Sequence, residues 1–224
     1  MSDMDGTKAT ALDEAAAAAG WPCLRFDYFA HGRSTGTPAE GGIGRWLADS
    51  LAVIDTLTTG PLILVGSSMG GWMAMLAARA RPARIAGAVL IAPAPDFTEL
   101  LMWPQLTEAV KDTLAAGGRF DLPMAYGAPP FPLTARFFAD ARAHLVLGAP
   151  LPVSGPVRIL QGMQDPDVPW RHALAVAETI ASPDLVLQLI KDGDHRLSTP
   201  ADLERLTASV AELVTRVGPN GRRS

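Results

Sequence analysis

The 224 residues are 48% hydrophobic and 19% charged, and 19 Lys and Arg against 23 Asp and Glu leave a net charge of −4. That balance excludes a disordered chain and leaves no basic surplus to hold a phosphate backbone, so nucleic-acid binding is not expected. One cysteine, Cys23, excludes an intrachain disulfide framework and a cysteine-based zinc cluster, and no segment keeps the roughly 20 apolar residues of a membrane span.

The acidic start, Met1-Ser2-Asp3-Met4-Asp5, is unlike a signal peptide, so a soluble cytoplasmic protein is expected. An Ala-rich helix is predicted from Thr7 to Ala19, closed by Gly20, and a strand from Cys23 to Tyr28. Ile43, Trp46, Leu47, Leu51, Ile54 and Leu57 recur at helical spacing up to the stop at Thr59-Gly60. Pro61–Gly66 is a near-continuous apolar strand, as in a parallel sheet covered on both faces. A helix over Met69–Arg81 and a strand over Ala86–Ala92 follow.

From about Pro93 to Pro152 the alternation breaks. Helices are expected over Thr98–Ala115 and Leu133–Leu147, with a Pro- and Gly-rich loop, Pro123–Pro132, between them. The alternation then resumes with a strand at Val157–Gln161, a helix at Trp170–Ile180 capped by Asp167, a strand at Asp184–Ile190 and a helix at Pro200–Val217. The expected organisation is one α/β core, residues 1–92 and 153–218, with an insert at 93–152 and a frayed tail at 219–224.

Gly-x-Ser-x-Gly occurs twice, around Ser34 and around Ser68. A nucleophilic serine needs a sharp turn from strand to helix, so that its hydroxyl projects while the N–H groups of the helix start face the oxyanion. Only Gly66-Ser67-Ser68-Met69-Gly70 has an apolar strand before it and a periodic helix after it. Ser34 leads into Thr37-Pro38-Ala39-Glu40-Gly41-Gly42 and reads as a turn at a cleft edge.

Serine also needs a base, and the base an orienting acid. His195 stands just past the strand ending at Ile190, on the edge where sites form in parallel sheets. His172 and His144 read as surface or packing residues, and His31 as a residue lining the cleft. Asp165 lies just past the strand 157–161 on that same edge, whereas Asp192 and Asp194 are too close to His195 in sequence to reach its far nitrogen. The order Ser68, Asp165, His195 is that of α/β-hydrolases.

Gly66-Ser67-Ser68-Met69-Gly70-Gly71-Trp72, Gly162-Met163-Gln164-Asp165-Pro166-Asp167-Val168-Pro169 and Gly193-Asp194-His195-Arg196-Leu197 resemble the three signature blocks of serine α/β-hydrolases. Met1–Ala9 and Arg25-Phe26-Asp27-Tyr28 resemble the branch of acyl-protein thioesterases and acyl-glucuronide esterases. The resemblance implies an α/β-hydrolase fold with a mostly parallel sheet, helices on both faces and a helical lid. It implies Ser68 as nucleophile, His195 as base, Asp165 as orienting acid and the Met69 N–H as an oxyanion donor, with no metal or organic cofactor. An ester or thioester hydrolase is the leading expectation. A non-catalytic binding protein on the same fold, and a cofactor-free peroxidase or C–C hydrolase, are the alternatives.

Trp103, Met124 and Phe131 in the insert are expected to bind an apolar acyl or aryl group, or simply to pack the insert on the sheet. The family's strand order further implies a strand ahead of residue 1, lying between Cys23–Tyr28 and Leu62–Val65, and a loop after it that supplies the second oxyanion N–H. Otherwise those two segments would close up and pair directly.

Overall fold

The computed structural model describes residues 3–123 and 129–218. Helix α1 (Thr7–Ala19) ends where Gly20 takes a left-handed φ of 71° and its N–H closes on the last turn. Helix α2 (Ile43–Leu57) buries Ile43, Trp46 and Ile54 along one stripe, the period its sequence shows. Strand β1 (Leu62–Ser67), helix α3 (Met69–Ala80) and strand β2 (Ile85–Ile91) form a parallel β-α-β unit. The insert follows, with α4 (Glu108–Ala115), β3 (Arg119–Leu122), β4 (Phe131–Thr134), α5 (Ala135–Arg142) and the short β5 (Leu151–Pro152). Strand β6 (Val157–Gly162), helix α6 (Trp170–Thr179), the short β7 (Ile180–Ala181), strand β8 (Leu185–Ile190) and helix α7 (Pro200–Val217) complete the chain.

Among the described residues the central sheet has four parallel strands in the order β1-β2-β6-β8. Because side chains alternate across a strand, β2 feeds two cores at once. Ala88 and Leu90 face the larger cluster, built on Trp46, Trp72, Met73, Phe137 and Phe138 of α2, α3 and α5. Val89 and Ile91 face the smaller one, with Leu206 and Leu213 of α7. Burying each such side chain stabilises the fold by about 1.5–3 kcal/mol. Strand β6 is buried along its whole length although it carries Arg158 and Gln161. The Arg158 guanidinium is satisfied by Glu212 of α7 and by Asp184, and those carboxylates hold its proton more tightly than usual, Glu212 most.

Three sequence expectations need correction. Cys23–Tyr28 takes no regular secondary structure and joins no β-ladder among the described residues, so it neither pairs with β1 nor belongs to the sheet. The apolar run of β1 is in consequence an edge strand, with Val65 39% exposed. The helix expected over Thr98–Ala115 is broken. Pro104 lacks the N–H that an α-helix needs, and the segment folds as a π-turn, Thr98–Met102, and a 3₁₀ turn, Trp103–Gln105, before α4 restarts with Thr107 as its N-cap. The helix expected over Leu133–Leu147 shrinks to α5, because Phe131–Thr134 pairs antiparallel with β3 and Thr134 caps the helix behind it. Met124 lies outside the described residues, as does the tail 219–224.

Candidate active site

Ser68 is the residue between β1 and α3, and it carries φ 55° and ψ −120°. A positive φ on a side chain with a Cβ is strained, and two backbone bonds hold it there. The Ser68 N–H donates to Ile91 O at 2.9 Å, and the Ser68 carbonyl accepts from Ala94 N at 3.1 Å. Both partners come from the end of β2 and the turn after it, so the elbow is fastened to the neighbouring strand. Gly66 makes the bend possible: a Cβ there would stand 2.2 Å from Gly70 O. The Met69 N–H, first in α3, has no acceptor within its own helix.

Asp165 and His195 meet directly. His195 Nδ1 lies 2.8 Å from Asp165 Oδ2, with the Asp165 side chain fully buried and that of His195 22% exposed. Loop backbones bring them together. Met163 N donates to Ile190 O and Gln164 N to Gly193 O, which zips the loop after β6 to the loop after β8. Gly162 permits the approach, since a Cβ there would stand 2.3 Å from Gly193 O. Asp194 Oδ1 accepts from the N–H groups of Arg196 and Leu197, folding the loop around His195, and Lys8 of α1 donates to Arg196 O.

The remaining oxygen of Asp165, Oδ1, accepts from Asp167 N at 2.9 Å and Val168 N at 2.8 Å. Burial pushes this carboxyl up, but the His195 ring and the two backbone N–H groups outweigh it and hold the carboxyl below its usual range. The backbone bonds explain a miss in the sequence reading. Asp167 does not cap α6, whose N-cap position is held by Pro169 without a side-chain cap; the Asp167 N–H instead builds the turn around Asp165. The donor atoms of Asp165, Asp167 and His195 lie within 4.8 Å of one another, with the Asp165 oxygens and His195 Nδ1 committed to the bonds above.

No hydrogen bond joins Ser68 Oγ to His195 among the described residues, so of the three sequence candidates two are in contact and the third stands on the same edge of the sheet. In free enzymes such contacts are often long and tighten only with substrate. Ser34 is a turn residue, its Oγ donating to Asp27 O at 2.8 Å. His31 is buried with Nδ1 on Phe29 O, and His172 is buried with Nε2 on Pro95 O. His144 sits half-buried, its Nδ1 on Asp140 O. Trp103 stacks edge-on against Phe138, and Phe131 against Phe137, so within the insert both rings touch α5. A cavity of about 360 Å³, lined by Pro61, Pro82, Pro156, Pro183 and Arg216 among others, opens at the opposite ends of the strands and touches none of the three candidates.

Sequence reasoning missed Gln161. It is completely buried and its Nε2 reaches Asp165 Oδ2 at 3.2 Å. The available signal was a polar residue at the end of a predicted buried strand, just before the glycine that opens the Asp165 turn.

An elbow serine after β1 and a His–Asp pair across the loops after β6 and β8 define a hydrolase-type site on a parallel α/β sheet. The chain belongs to the alpha/beta hydrolase family, whose profile matches residues 6–218. Palmitoyl-protein thioesterase ABHD10, mitochondrial, of Mus musculus is 38% identical over 218 residues, covering 97% of this chain and 73% of that protein. The structure of mouse alpha/beta hydrolase domain-containing protein 10 matches with a TM-score of 0.88 at 38% identity, over 97% of this chain and 87% of that one. A crystal structure of a protein from Agrobacterium vitis S4 matches with a TM-score of 0.91 at 44% identity, over 95% and 84% of the two chains. The mammalian relatives are named as mitochondrial, so the cytoplasmic placement expected from the sequence is not confirmed. Among the described residues no helix is long and apolar enough to cross a membrane.

Proposed function

We propose that this chain hydrolyses an acyl thioester, or a carboxylic ester of the same acyl group, through an acyl-enzyme on Ser68. The His195–Asp165 bond at 2.8 Å, on the same sheet edge as a strained serine elbow, carries the reading. The similarity to proteins named palmitoyl-protein thioesterase supports the thioester.

Ser68 Oγ attacks the acyl carbonyl carbon as His195 Nε2 removes its proton, and the Met69 N–H donates to the oxyanion that forms. Asp165 keeps the proton on His195 Nδ1, which leaves Nε2 free to accept, and its charge offsets the imidazolium. Collapse of the tetrahedral species expels the thiolate or alkoxide, which takes the proton from Nε2. Water then attacks the acyl-serine, His195 again acting as base, and the carboxylic acid leaves. The insert between β2 and β6 acts as a lid over this edge, and Trp103 and Phe131 meet the apolar acyl chain there. Each buried methylene contributes up to about 0.8 kcal/mol, so long-chain substrates exceed acetate in kcat/KM.

A fluorophosphonate probe followed by a series of acyl-CoA and p-nitrophenyl esters tests the reading. Stoichiometric labelling of Ser68 and rates rising with chain length are expected. A folded protein that the probe does not label, or that hydrolyses no acyl substrate in the series, overturns it.

A further inference from the structure

Gln161 is the penultimate residue of β6, next to the Gly162 that lets the two loops meet, and its side chain is completely buried. Its amide nitrogen faces three acceptors: Gly162 O at 3.0 Å, Val168 O at 3.1 Å and Asp165 Oδ2 at 3.2 Å. Its amide oxygen is buried with no partner. The orientation is therefore fixed by chemistry, because turning the amide over would set Oε1 against three acceptor oxygens. A methionine would fill nearly the same volume with no stranded acceptor. The position accepts a buried, unsatisfied oxygen in order to keep the donor.

The division of labour on Asp165 shows what that donor does. Oδ1 is saturated by the backbone N–H groups of Asp167 and Val168. Oδ2 faces His195, and among the described residues Gln161 is the one other side chain that donates to it. We infer that Gln161 is a positioning residue of this site, holding Asp165 Oδ2 in line with His195 Nδ1 and drawing off part of the negative charge that this oxygen presents to the ring. The inference rests on the triad reading above. A carboxylate relieved of that donor binds the imidazolium more strongly, so His195 keeps its catalytic proton to higher pH and serves less well as a base near neutrality. Other charged groups around the pair are Asp167, whose carboxylate lies within 4.8 Å, and Lys191, Asp192, Asp194 and Arg196 on the His195 loop, with Lys8 reaching that loop from α1. All of them are unchanged when residue 161 alone is substituted.

The test is the pH dependence of kcat/KM for Gln161→Met and Gln161→Glu, each normalised to the fraction of Ser68 labelled by a fluorophosphonate. For Gln161→Met the acid limb is expected to move to higher pH by about half a unit to one unit, with kcat about tenfold lower at pH 7 and KM within twofold of the parent. Gln161→Glu, which sets a second carboxyl beside Asp165, is expected to move the limb further in the same direction. A purely structural role would lower the melting temperature and the labelled fraction and leave the normalised profile in place. An unmoved acid limb in whichever variant folds overturns the inference, as does failure of both to fold, which would make Gln161 a residue of the fold alone. Ser68→Ala separates the two levels: if it keeps full activity the triad reading itself fails, whereas an unmoved limb with Ser68→Ala inactive removes only the role of Gln161.

Discussion

Ser34 and Ser68 occupy the same five-residue pattern and have opposite structures. Within the pattern around Ser34 the positive φ angles fall on Gly32 and Gly36, residues that adopt them without strain, with Ala30 (φ 60°) just ahead of it, and the serine turns its hydroxyl inward to Asp27 O. Around Ser68 the positive φ falls on the serine itself, and its hydroxyl makes no hydrogen bond to a protein partner among the described residues. One loop spends its hydroxyl on its own fold. The other is held under strain by the end of β2 and keeps the hydroxyl available. A short motif thus specifies which atoms are present, and the neighbouring strand decides whether they are free to react.

The widest separation between the two loops is expected in activity. Ser68→Ala should lower kcat for thioester and ester hydrolysis by about 10⁴–10⁶-fold, while Ser34→Ala stays within tenfold of the parent in the same assay. Comparable losses would erase the distinction. The acids that serve the two loops divide in the same way. Asp165→Asn should cost about 10⁴-fold in kcat by disturbing the histidine tautomer. Asp27→Asn, which weakens only the bonds from the Met4 and Arg33 N–H groups, should show its effect in stability.

Asp165→Asn also carries a pH signature. Its carboxyl sits below the usual range in the folded protein, so the folded state binds that proton less tightly than the unfolded chain does. The stability it contributes is complete above the usual carboxylate pKa of about 4 and is lost as pH falls through the lower folded value. Melting curves from pH 6 down to 2 should therefore decline more steeply for the parent than for the variant.

The elbow itself can be tested by stability. Gly66→Ala drives a Cβ into backbone 2.2 Å away and should destabilise by roughly 3 kcal/mol, a fall of about 6–12 °C in Tm. Gly70→Ala meets nothing within 4 Å and should melt close to the parent. Ser34→Ala should also have a small effect on unfolding in urea, a loss of about 0.5–1.5 kcal/mol for one side-chain hydrogen bond.

Legibility in the sequence followed the locality of the physics. The helices α1, α2, α3, α6 and α7 and the strands β1, β2, β6 and β8 came within a residue or two of their predicted bounds, because their periodicity and their caps are properties of adjacent residues. The insert was misread where pairing is remote. Phe131–Thr134 has helix-compatible neighbours, but Arg119–Leu122 claims it as a strand. Cys23–Tyr28 has strand composition, yet a strand exists only with a partner, and among the described residues no β-ladder takes it in.

For the site, sequence alone pointed to the elbow serine and the candidate acid and base, since each lies two or three residues past a glycine at or just past the end of a largely apolar strand. Tertiary structure decided what those residues do to one another. The loops after β6 and β8 are zipped backbone to backbone, and that contact sets His195 on Asp165 Oδ2, while Gln161 donates to the same oxygen and the Asp167 N–H donates to Oδ1. The contact of His195 with Asp165 joins residues 30 apart in sequence. Their geometry depends on a close approach of two glycines, Gly162 and Gly193, which local propensity does not encode.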